Sequence, residues 1–128
     1  MIHSDLLRQL LLASTAGIFL FFVAWALIRP QSMAKTLGYE VSAPNGWSEF
    51  GAIYVGVFFA QALLCGLAIY RLSDAVLGDL CAVFLLLQPV GRLLPLVRYG
   101  APTGLLRLLF ALELTGGIAL LLVRPGAY

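Results

Sequence analysis

Charge is what this sequence has least of. Eight Lys and Arg and six Asp and Glu make up 11% of its 128 residues, against about a quarter in soluble domains. So few charges cannot cover a water-facing surface, which excludes an ordinary soluble globule. The net charge of +2 is spread along the chain, with no run of five or more basic residues, and this excludes a nucleic-acid partner or a polybasic lipid tract. Histidine occurs once, as His3, and cysteine twice, too few for a standard zinc site. No nucleophile with a base and no cofactor motif is legible, so no catalytic residue, metal or cofactor is assigned and an enzyme is the less favoured class. Cys65 and Cys81 flank a short connector at similar depth on adjacent helices. They read first as small buried hydrophobes and second as a redox pair.

Hydrophobic residues fill the space that charge leaves, at 62% of the chain and a mean hydropathy of +0.99. A membrane helix needs about 20 mostly apolar residues, and four segments qualify, at about 6–28, 47–70, 74–97 and 104–123. The expectation is an all-α integral membrane protein, one domain over residues 1–128, built as a four-transmembrane-helix bundle with the lipid bilayer as its first partner. The first apolar run exceeds the roughly 7–15 residues of a signal core, so it is read as a span. Four spans put both termini on one side. Arg8, Arg71 and Arg124 lie on that side and Arg29, Lys35 and Arg98 on the other, a tie that selects no orientation by the positive-inside rule.

The first connector is the long one. In "RPQSMAKTLGYE", Pro30 suits a first helical position, Met33 and Leu37 share a face, and Gly38 suits a C-terminal cap. This predicts a short amphipathic helix at the membrane interface, followed by a turn at "SAPNGW". Trp25, Tyr39, Trp47 and Tyr99 gather at the same level as an aromatic belt. Small residues recur as Ala13 and Gly17, as Ala52, Gly56 and Ala60, and as Gly116 with Gly117. They suit close helix contact, within the bundle or along the seam of a homo-oligomer.

Five ionisable residues fall inside the spans: Glu49, Asp79, Arg92, Arg107 and Glu113. Such charges are expensive, so they face inward and pair. Counted from the turn near residues 99–102 at 1.5 Å per residue, Arg92 lies about 12 Å and Glu113 about 16 Å deep, within an arginine's reach of each other. Glu49 lies nearer the mouth on the same side. Gln88 and Tyr99 extend a polar stripe along the third helix, while Pro89 and Pro95 loosen the backbone around Arg92. Asp79 and Arg107 are close enough to the surfaces to be read as interfacial. The predicted cluster is therefore Glu49, Arg92 and Glu113 with Gln88 and Tyr99, either a lock between helices or a polar cavity for a lipid or small apolar ligand.

The segments "SEFGAIYVGV", "GRLLPLVRYGAP" and "ALEL" resemble those of a family of small four-span bacterial membrane proteins of unknown function, DoxX-like in outline. The resemblance implies that Glu49, Arg92 and Glu113 occupy the family's polar positions, with Gly91, Gly100 and Pro102 around the turn, and a bacterial inner-membrane location. Gly51 and Tyr99 depart from it, standing where relatives often carry a basic and an acidic residue. The favoured function is a non-catalytic subunit, scaffold or assembly factor of a membrane complex. Ligand or lipid binding or transport is the alternative, and a quinone or thiol redox accessory is a third reading.

Overall fold

The structure is a computed structural model and describes residues 1–126. Four helical segments, Asp5–Ile28, Pro44–Tyr70, Ala75–Tyr99 and Leu105–Leu122, are long and apolar enough to cross a membrane. Two-residue strands β1 (Ile2–His3) and β2 (Val123–Arg124) pair in parallel and join the two chain ends at one end of the bundle.

Helix α1 (Asp5–Ile28) starts where the Ser4 side chain accepts a hydrogen bond from the Leu7 amide at 3.2 Å, satisfying an otherwise orphaned donor. It stops at Arg29 (φ −136°, ψ 68°), because Pro30 disfavours helical backbone in the residue before it. Pro30 then opens α2 (Pro30–Leu37), which Gly38 closes at φ 86°. The Tyr39 amide donates back to the Ala34 carbonyl at 2.8 Å, completing a left-handed glycine cap. Met33, Ala34 and Leu37 are buried while Gln31, Ser32 and Lys35 face out, so the interfacial helix has the predicted apolar face.

The second span begins at Pro44, three residues earlier than the apolar run suggests, because Pro44 itself serves as a first helical position. It comprises α3 (Pro44–Gly51), a π-helical stretch at Ala52–Val57 and α4 (Phe58–Tyr70). The π stretch was not legible in the sequence, and it has a packing reason. Phe50, Tyr54 and Phe58 step every four residues, and in an α-helix each such step drifts about 40° around the axis. The wider π turn works against that drift, and all three rings stay buried in edge and tilted contacts of 4.7 Å (Phe50–Tyr54) and 5.1 Å (Tyr54–Phe58). Phe58 passes the stack to Phe19 of α1 at 4.8 Å.

The third span is α5 (Ala75–Gly91) followed by α6 (Leu93–Tyr99), with Asp74 capping the start through the Val76 amide at 3.2 Å. Arg92 stands at the break (φ −84°, ψ −8°), its amide shared between the carbonyls of Gln88 at 3.2 Å and Pro89 at 3.1 Å. Pro89 and Pro95 lack the amide donors a continuous helix needs, and the helix is interrupted between them at Arg92. The fourth span is α7 (Leu105–Leu122).

In the bundle α1 packs on α4, α4 on α5, α5 on α7 and α7 on α1. Large apolar side chains such as Leu20, Phe59, Leu87 and Leu108 face outward, whereas Arg8 (1% exposed), Gln61 (2%) and Glu113 (4%) face inward. That distribution suits hydrocarbon as the surroundings, where exposed apolar groups cost nothing and polar groups must find partners inside. The α5–α7 contact is close because Gly117 has no Cβ; one would meet the Leu86 side chain and the Ala82 carbonyl. By contrast, Ala13, Gly17, Ala52, Gly56 and Ala60 are all exposed, with open space beside Gly17 and Gly56. Those two stripes are therefore not contacts within the bundle.

Candidate functional site

Arg92 and Glu113 come together across the third and fourth spans, Nη1 to Oε1 at 3.5 Å. Arg92 stands at the break between α5 and α6, and Glu113 occupies the core-facing position of α7 between Leu109 and Gly117. The pair is not fully satisfied: Arg92 Nη1 and both Glu113 oxygens are buried without a hydrogen-bond partner among the described residues. Arg92, 26% exposed, also lines a cleft of ≈ 470 Å³ between the second and third spans. Gln88 lines the same cleft, with Tyr39 and Tyr54, whose hydroxyls lie 2.7 Å apart. Ile53, Val57, Phe84 and Leu87 form its apolar wall. Glu113 faces the other way, onto a crevice of ≈ 40 Å³ with Thr15, Phe19 and Leu85.

Two predicted members fall elsewhere. Glu49 is exposed and makes no ion pair among the described residues. Phe50 holds the core-facing position, so its neighbour Glu49 is rotated about 100° away. Tyr99 is 81% exposed, on α6, which carries no buried residue. The stripe from Gln88 to Arg92 therefore stops there. Tyr39 and Tyr54, which sequence reasoning read as a belt residue and as part of an apolar run, complete the cleft instead.

A second charged cluster, also missed in the sequence, sits at the end where the termini meet. Arg8 is read there only as a flanking charge and Asp79 as an interfacial one, yet Arg8 is buried with both terminal nitrogens hydrogen-bonded. Nη1 donates to the carbonyls of Leu120 (2.8 Å) and Val123 (2.6 Å), and Nη2 to the Ala75 carbonyl (3.0 Å) and Asp79 Oδ1 (3.3 Å). Arg124 donates to the same Asp79 oxygen, and the Gly126 amide donates to Asp5 at 2.7 Å. The guanidinium fits only because residue 78 is glycine, whose missing Cβ would stand on Arg8 Nη2. The available signal was depth: Arg8 and Asp79 each lie about one turn inside their helices at the same end. Both terminal nitrogens of Arg8 end on protein oxygens, whereas Arg92 Nη1 and both Glu113 oxygens have capacity left over.

Cys65 and Cys81 are free and fully buried on α4 and α5, with their thiols side by side. The Gln61 amide donates to the Cys81 carbonyl at 3.5 Å.

Four apolar spans enclosing two ion-pair clusters define a small helical integral membrane protein. The chain belongs to the DUF4345 family, a domain of unknown function whose sequence model matches residues 7–124. No curated protein and no solved structure matches it.

Proposed function

We propose that this is a non-catalytic membrane protein that holds one amphiphilic molecule in the cleft between its second and third spans. The observation that carries the reading is the Arg92 guanidinium, which lines the cleft beside Gln88 and a tyrosine pair and makes no side-chain hydrogen bond among the described residues. Buried polar atoms at membrane depth are retained at a cost, and a bound head group would repay it. Broken helices at bilayer depth commonly line such sites. A scaffold or assembly role is the second reading. It is favoured by the outward stripes Ala13–Gly17 and Ala52–Gly56–Ala60, which give a partner helix or a second copy a smooth surface. A DoxX-like relationship and a bacterial inner-membrane location belong to the same proposal and rest on the segments quoted above.

The test is gentle extraction from native membranes, followed by mass spectrometry of what stays bound. Wild type retains a lipid or lipid-like metabolite. The Arg92→Leu, Glu113→Leu double variant folds, by thermal unfolding, but loses it. An unchanged set of retained molecules in the folded double variant rules the cleft out. A stoichiometric protein partner in its place selects the scaffold reading.

A further inference from the structure

We infer that the cleft selects an amphiphile whose head is neutral and hydrogen-bond-accepting, carrying a carbonyl or ester, over one whose head is an anion; this rests on the amphiphile-binding reading above. A lone arginine on a cleft wall suggests an anion site, but charge balance argues the opposite. Arg92 is the one ionised residue among those lining the cleft, and its charge is already matched by Glu113 at 3.5 Å. Glu113 is buried and has no other ion-pair partner among the described residues. An anionic head at Arg92 would set two negative charges against one positive in a low-dielectric interior, leaving one of them uncompensated at large desolvation cost. A neutral acceptor leaves the pair intact.

The same wall is rich in donors. A guanidinium carries five N–H groups; Arg92 turns Nη1 inward to Glu113 and makes no side-chain hydrogen bond among the described residues, so its Nε and Nη2 groups are unspent. Gln88 adds an amide NH₂. Tyr39 and Tyr54 share one hydrogen bond between two hydroxyls, which leaves one phenolic O–H to donate outward. Donors without net charge fit acceptor oxygens without net charge, and Ile53, Val57, Phe84 and Leu87 supply an apolar track for the tail.

The experiment uses the full chain in nanodiscs containing equal amounts of monoolein and oleyl sulfate, which match in tail length and differ in head charge, with native mass spectrometry of the retained lipid. Wild type retains monoolein over oleyl sulfate by about tenfold or more, the ratio expected of roughly one mispaired polar contact. Glu113→Gln keeps the side-chain shape but strips the counter-charge, so Arg92 becomes an unpaired cation and the preference inverts. The Arg92→Gln, Glu113→Gln double variant is uncharged and keeps the preference for monoolein, which protects the test against instability in the single variant. Wild type retaining oleyl sulfate as well as monoolein, or an unaltered ratio in Glu113→Gln, overturns the inference and leaves the cleft a binding site. Retention of neither lipid by wild type overturns the amphiphile reading and this inference together.

Discussion

Gly78 shows how much one atom decides at the scale of residues. A Cβ at this position would overlap the Arg8 guanidinium, so Gly78→Ala pushes Arg8 off Asp79 and off three carbonyls. Alanine normally improves a helix by up to about 1 kcal/mol over glycine. Here the loss of a buried charge's partners, about 3–5 kcal/mol, outweighs that gain. Thermal unfolding in detergent shows a large loss for Gly78→Ala, and neutrality or a small gain for Gly66→Ala, where nothing lies within reach of a Cβ. The Arg92–Glu113 pair obeys the same arithmetic. Arg92→Leu strands a buried carboxylate and costs about 3–5 kcal/mol, whereas adding Glu113→Leu restores most of the stability, since a buried pair is often replaceable by apolar residues. Denaturant or thermal unfolding of the two variants reads this directly. Residue 92 was conspicuous in the sequence because it interrupts an apolar run. Residue 8 was not, because an arginine near a span's end looks like any interfacial charge until its depth on three helices is known.

Elements explain why the predicted cluster lost two members. Helix periodicity is reliable while a helix is continuous, and the third span is interrupted at Arg92. Beyond the break at Arg92 the register of α5 no longer governs which way α6 faces, so Tyr99 could not be assigned from its spacing. The π stretch has the same effect in the second span, since it rests on aromatic packing that no local propensity encodes. The interfacial helix, by contrast, was legible from Pro30 to Gly38, because caps are local chemistry. Gly38 holds φ 86°, a conformation that costs an L-residue about 1 kcal/mol, so Gly38→Ala lowers stability by about that much. Circular dichroism melts measure it, and Gly38→Asn, which tolerates the left-handed region better, loses less.

At the scale of the whole molecule the bundle is ordered by what its outside meets. Its outer face carries exposed Ile, Leu, Val and Phe side chains on the spans, while one ion-pair cluster sits at the end where β1 and β2 pair and the other lies inside the bundle, with Glu113 at the middle of α7. The stripe at Ala52, Gly56 and Ala60 lies on that outer face, so Gly56→Leu leaves monomer stability within about 0.5 kcal/mol, as surface changes usually do. If the stripe is the seam of an assembly, the same variant lowers the oligomer fraction in cross-linking, and Gly66→Leu does not.

Composition and local chemistry alone determined the membrane class, the four spans, the interfacial helix and the weak point between Pro89 and Pro95. Each follows from solvent preference or from a backbone donor that proline lacks, and neither needs a neighbour. Only the tertiary structure decided that Arg8 is a buried clamp on Asp79 and three carbonyls, that Glu49 and Tyr99 stand outside the cleft, and that Tyr39 and Tyr54 line it. Pairing depends on rotation and depth between helices, and a single break or π turn resets both.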